Sequence, residues 1–294
     1  MRGARQTYLA HQRGMTLIEL IVVIVLIGVL SAGITQFLGT TVQGYVDTAR
    51  RDQLASVGRL AVERITRELR HAMPNSVRVS NNCIEFLQIA ASAMYQDRRV
   101  DYGGGVMSQP APIASAAPAA TMDVFDLSFS PEADVAYYVA IYPLQTNGAG
   151  ANNPYSGANP GVMTGYAGQS SAGLPAGVSR LSLTANYRYT RHSPQRRAFI
   201  VRPVSFCVVG DRINRYQNYA LSSGQATPPL PPAGADLQLL AERMQLNDGG
   251  VAVTPFTVSG QALERNAIVA LDLRFMEKDE WIRLNHEVQL RNVP

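Results

Sequence analysis

Few residues in this chain could do chemistry, and the most informative is one carboxylate, Glu19, at the head of an apolar run. From Leu20 to Val46 there is no charged residue, and the stretch from Leu20 to Leu38 is dominated by Leu, Ile and Val. A lone acid in hydrocarbon costs about 2.5–3.5 kcal/mol on insertion scales, so Glu19 needs a partner or a task. Just upstream stand Arg13, Gly14 and Met15. About 20 helical residues at 1.5 Å each cover roughly 30 Å, one bilayer core. Arginines precede the run and Asp47 is the first charge after it. The positive-inside bias therefore puts the N-terminus in the cytoplasm and the remainder across the membrane. A secretory signal peptide, with Ser31-Ala32-Gly33 as a loose cleavage site, or a simple signal anchor also fits the apolar run. Neither calls for Glu19.

Other chemistry-bearing residues form no convincing set. His11, His71, His192 and His286 are scattered and make no HExxH-like or Cys/His ligand cluster. Gly103-Gly104-Gly105 lacks the lysine and following helix of a phosphate loop. Gly168 with Ser170-Ser171 makes no nucleophile elbow. Asp123 and Asp126 could hold calcium, although a solvated loop is the simpler reading. The best nucleic-acid candidate is Arg188, Arg191, Arg196, Arg197 and Arg202 with Tyr187 and Tyr189. Alternation along a strand would place only half of these on one face, which argues against it. The expectation is no catalytic residue, no cofactor, no metal and no nucleic-acid partner: the protein is not an enzyme.

Composition agrees. The formal charge is +4, but Arg2, Arg5 and Arg13 lie in the first 14 residues, which contain no acid. Without those three positives the remainder carries only +1, and no global electrostatic case for nucleic acid survives. Basic residues are almost all arginine, Lys278 being the single lysine, which reads as a GC-rich genome. The two cysteines, Cys83 and Cys207, would be free buried thiols in a cytosolic protein. Outside the cytoplasm an even count favours one disulfide. Closing so long a loop could stabilise the fold by roughly 4–5 kcal/mol in the chain-entropy model.

The elements that must position these groups are readable in outline. Leu54, Val57, Ala61, Ile65, Leu69 and Ala72 recur at spacings of three and four, so the helix should continue past the apolar run. Its other side is charged, with Arg59, Glu63, Arg67 and Arg70, and Glu63 with Arg67 is a favourable i,i+4 pair. Pro74 and Asn75 should stop it. Gly28, Gly33, Gly39 and Gly44 weaken the upper apolar part. Beyond, strands are expected at 83–89, 135–142, 180–189, 198–209, 212–219, 267–276 and 281–291, the last two joined by a hairpin at 277–280. Asn247-Asp248-Gly249-Gly250 signals a turn. Residues 236–246 fit a short helix capped by Asp236, or a strand-edge loop. Stretches 103–121, 147–178 and 222–235, rich in Gly, Pro and small residues, are expected to be surface loops of one domain. The fold class is α+β: a long N-terminal hydrophobic helix packed on an antiparallel β-sheet domain.

The string RGMTLIELIVVIVLIGVLSAG, residues 13–33, resembles the N-terminal signal of type IV prepilins and type II secretion pseudopilins. The resemblance implies a leader over 1–14, cleavage by prepilin peptidase between Gly14 and Met15, and N-methylation of Met15. It also implies that Glu19 pairs with the N-terminal amine of a neighbouring subunit during assembly. The chain then divides into a membrane or filament-core half-helix (15–46), an amphipathic half (47–73) and a periplasmic β-rich body (74–294), a pilin-like arrangement. Met15 departs from the commoner phenylalanine, and Gln36 stands where many pilins carry a helix-breaking proline. The segments 202–219, 262–275 and 285–294 are similar to minor pilins of the mannose-sensitive haemagglutinin (MSHA) pilus, of the MshO type, which are related to J-type pseudopilins. Implied partners are prepilin peptidase, other minor and major pilins and the inner-membrane assembly machinery. The implied location is the inner membrane, in a single pass, and the extracellular pilus.

Overall fold

No proline interrupts the chain before Pro74, and good helix formers fill residues 17–69. One helix, α1 (Leu17–Leu69), therefore runs unbroken through the four glycines and through Gln36. The computed structural model describes residues 14–146, 150–221, 234–259 and 267–290. It divides into two compact units, Met1–Asp52 and Gln53–Pro294. In the first unit every residue from Gly14 to Val46 is exposed.

In the second unit the remaining turns of α1 bury Leu54, Gly58, Ala61, Ile65 and Leu69, with Val57 and Val62 partly buried beside them. This is the stripe the spacing predicts, plus Gly58. The helix ends at Leu69 rather than 73, because a strand captures the chain before Pro74 is reached. Met73 N donates to Leu87 O at 2.7 Å, and Ile89 N donates to His71 O at 2.9 Å. Arg64 pairs with Glu68 at i,i+4 spacing, whereas the expected pair of Glu63 with Arg67 is not formed.

Nine strands form one antiparallel sheet. They are β1 (Arg78–Ser80), β2 (Cys83–Tyr95), β3 (Ala119–Phe125), β4 (Tyr138–Ala140), β5 (Met163–Ser170), β6 (Val178–Tyr187), β7 (Arg197–Val209), β8 (Arg212–Gln217) and β9 (Asp236–Ala241). Their order is β1-β2-β3-β6-β5-β4-β7-β8-β9, and β2 also pairs with β7. Six strands, β2-β3-β6-β5-β4-β7, thus close on themselves around a core that includes Tyr95, Met122, Val124, Leu181 and Tyr189. A hairpin follows, β10 (Asn247–Asp248) with β11 (Val251–Ala252), turning at Gly249-Gly250 as expected. A second sheet holds β12 (Phe256–Ser259), β13 (Ala267–Glu277) and β14 (Glu280–Leu290) in that order.

Three expectations need correction. Residues 236–241 are strand, not helix: they pair with β8, and tertiary pairing overrides a weak local preference. The 135–142 run is strand only at 138–140. The low-complexity stretches are not all surface loop, since 147–178 contains β5 and buries Asn153 and Tyr155, while 103–121 buries Ser108, Ala111 and Ile113. Most of 222–235 lies outside the described residues.

Side chains alternate across the β2–β7 pair. Ile84, Phe86, Val204 and Phe206 face the core shared with α1 and the three-stranded sheet. Cys83 and Cys207 stand directly opposite each other on the other face and form a disulfide. Two residues along on that face Glu85 opposes Ser205 and is fully buried. Its carboxylate pairs with buried Arg78 and accepts from Tyr219 Oη at 2.8 Å. Burial pushes the Glu85 carboxyl above its ordinary range, while Arg78 and Tyr219 pull it down. A second buried pair ties α1 to β8: Arg215 Nε lies 2.9 Å from Glu68 Oε2.

Two stability predictions follow from this packing. A Cβ at position 58 would stand 2.5 Å from Leu284 Cδ1 and 2.9 Å from Phe275 Cε2, both inside contact distance. Gly58→Ala should therefore cost about 1–3 kcal/mol through overpacking, read by urea melts of the full chain in detergent. Arg78→Met leaves Glu85 buried without its cation and should cost about 3–5 kcal/mol near neutrality. Glu85 in that variant titrates still higher when folded. Its contribution is thus fully present below the unfolded carboxyl range and is lost as pH rises, so the deficit against wild type should shrink in acid. An equal deficit at pH 4.5 and pH 7 would contradict the assignment.

Candidate functional site

Gly14, Met15 and Thr16 precede α1 in non-helical conformation and are exposed. Leu20 N donates to Thr16 O at 3.2 Å, the first helical bond, so Thr16 is the N-cap residue. Its hydroxyl accepts from Glu19 N at 3.3 Å, and Thr16 N donates to Glu19 Oε2 at 3.5 Å. This is a reciprocal capping box, long in both bonds. Glu19 also sits in the first turn, where the helix dipole favours negative charge.

The spacing Thr16-Leu17-Ile18-Glu19 carries the sequence signature of that box, S/T-x-x-E before an apolar run. Reading Glu19 only as an acid awaiting an amine overlooks Thr16. The box bends the carboxylate back toward the chain entering the helix, one residue from the nitrogen of Met15. Scission of the Gly14–Met15 bond would turn that nitrogen into a cationic amine. A charge-assisted bond is about twice as strong as a neutral one, so a loose backbone contact at 3.5 Å is readily exchanged for an ammonium partner.

The rest of the exposed segment is prepared for hydrocarbon. Thr35 Oγ1 donates to Ser31 O at 2.8 Å, Thr40 Oγ1 to Phe37 O at 2.9 Å and Thr41 Oγ1 to Phe37 O at 2.8 Å. Each hydroxyl is thereby satisfied inside its own helix, which removes most of its desolvation penalty. α1 is long and apolar enough to cross a membrane.

Residues 9–35 match the prokaryotic N-terminal methylation motif. That match supports a type IV pilin-like protein. The pilin-like segment covers Gly14, Met15 and Glu19 and stops before the body of the chain. No curated protein and no solved structure was found to match the chain. The motif implies processing by prepilin peptidase and assembly with pilus machinery in general, and the apolar helix indicates membrane anchoring.

The other sequence candidates are placed less favourably. Asp123 is fully buried and its carboxylate is held by Arg180 (Nε to Oδ1, 2.7 Å) rather than lying in a solvated loop. No group of three or more His, Cys, Asp or Glu that could hold a metal occurs among the described residues. Tyr187 and Tyr189 are buried edge-to-face against each other and offer no stacking platform. Arg196 pairs with Asp97, and Arg202 with Glu132. His192 meets Tyr95 Oη at 3.3 Å, far along the chain from the other described histidines. The three glycines at 103–105 all have positive φ and form a tight turn closed by Tyr102 N to Val106 O at 2.8 Å.

The capping box yields a direct test. Thr16→Ala should fray the first turn, speeding amide exchange at residues 17–20 about fivefold in detergent micelles, whereas Thr16→Ser should leave it unchanged. Equal exchange in all three proteins would remove Thr16 from the site.

Proposed function

We propose that this chain is a minor pilin of an MSHA-type pilus that acts in assembly initiation or at the pilus tip, and that it is not an enzyme. The single observation that carries the pilin part is the methylation motif coinciding with an exposed cleavage point and a capped glutamate. The acid has only a long backbone contact within its own helix, and no cationic partner, until cleavage supplies one on a neighbouring subunit. Pairing then fixes register and neighbour, because an uncompensated charge in a low-dielectric place is costly. The globular body would lie in the periplasm before assembly. In support of the minor-subunit reading, the second unit, which runs from Gln53 to Pro294, is a large body.

A J-type pseudopilin of a type II secretion system would use the same N-terminal chemistry, and the disulfide suits either setting. A tip adhesin would present the long connections around β3 and β5 as its contact surface. Deleting the gene discriminates: loss or marked reduction of MSHA pili supports the proposal, while intact pili with failed protein secretion supports the pseudopilin. On complementation, Glu19→Ala should be cleaved normally yet enter pili at least tenfold less than wild type in a pilus pull-down. Normal incorporation would sink the assigned role of Glu19.

A further inference from the structure

β14 is the outer strand of the three-stranded sheet, and it pairs with β13 in eleven consecutive steps without a bulge. Soluble proteins guard such edges with proline, lysine, bulges or covering segments. β14 contains no proline and no lysine, and Asn285, His286 and Glu287 are exposed in succession, so both faces are bare at mid-strand. A long, regular edge that no described strand covers is a template for another strand.

The side chains say which strand fits. Trp281, Arg283, Asn285, Glu287 and Gln289 alternate along one face. Laid antiparallel to itself about Asn285, β14 sets Arg283 opposite Glu287 of a second copy, twice over, and Asn285 opposite Asn285. Trp281 then meets Gln289. On the other face Ile282 meets Val288 and Leu284 meets His286, which extends the apolar layer already packed beneath the sheet. Opposite charges and paired amides directly across an antiparallel pair are favourable, and a shift by two residues would lose the Asn285 pairing and both Arg283–Glu287 contacts. Arg283 keeps its bonds to Asp272 at 2.8 and 2.6 Å, so Glu287 of the second copy would join an existing ion pair. Glu287 has no ion-pair partner among the described residues.

We propose that β14 is a self-complementary docking edge through which two copies of this chain pair antiparallel, centred on Asn285. The symmetry is isologous: the same residues serve both copies, and the contact closes at two. Nothing in it depends on processing at Gly14.

Cysteine cross-linking on the full-length chain in membranes tests the register. Asn285→Cys should give a reducible band of twice the monomer mass under mild oxidation. Trp281→Cys and Gln289→Cys should each give at least tenfold less alone, and should recover the band when the two variants are co-expressed. Arg283→Glu should weaken the Asn285→Cys cross-link, and the added Glu287→Arg exchange should restore it. No dimer at Asn285→Cys, equal dimer at all three positions, or a cross-linked band of another mass would overturn the proposal. Since cleavage at Gly14 and pilus entry are scored separately, failure here leaves the pilin reading untouched.

Discussion

Leu54, Ala61, Ile65 and Leu69 form one buried stripe on the last turns of α1, and the body of the protein is arranged around covering it. One side of that cover comes from β2 and β7 through Ile84, Phe86, Val204 and Phe206; the other comes from β13 and β14 through Val269, Leu271, Leu273, Phe275 and Val288. Each fully buried Leu or Ile contributes roughly 1.5–3 kcal/mol relative to exposure. Gly58 is the point of closest approach, where only a missing side chain leaves room for Leu284 and Phe275. At the end of the stripe Glu68 stands near the negative pole of the helix, an unfavourable place for an acid, and Arg215 from β8 compensates it. The two sheets thus converge on one helix face.

Above that layer the chain builds something the helix does not require. Six strands close into a ring with a separate core of tyrosines and aliphatic residues, to which the low-complexity stretches contribute Ala111, Ile113 and the strand β5. The disulfide and the Arg78–Glu85–Tyr219 cluster sit on the face of β2 and β7 turned away from α1. β2 and β7 are therefore the shared wall lengthwise: Ile84, Phe86, Val204 and Phe206 at one end enter the helix core, while Ala93, Ala198 and Ile200, on the same face further along, enter the ring core. The longest strands of that sheet, thirteen residues each, are the two that reach both cores.

Under the proposed function, the N-terminal turn would let Glu19 serve two partners in sequence. Before a partner exists, Glu19 satisfies a backbone donor of its own helix through the box with Thr16. That contact is long, and it keeps the carboxylate oriented toward the chain entering the helix, where cleavage would place an amine. The threonine hydroxyls further along the apolar run, Thr35, Thr40 and Thr41, are closed on carbonyls of their own helix, whereas Glu19 is the one carboxylate at its head.

Much of this is written locally. The apolar run, the lone acid at its head, the three-and-four spacing to Leu69 and the runs that became β2, β6, β7, β13 and β14 are contiguous patterns, and local physics reads contiguous patterns. The T-x-x-E cap was equally legible and is of the same kind. What only the tertiary structure decided was everything that depends on a neighbour brought from far along the chain. Residues 236–241 became strand because β8 offered an edge; Gly58 mattered because Leu284 came to lie against it; Asp123 was claimed by Arg180 rather than left in a solvated loop. The cysteines could have been free or bonded, and it was the register of β2 on β7 that set Cys83 opposite Cys207. A periodicity carries the identity of a face, but not of what will cover it, and that second choice is made by burial and pairing across the whole fold.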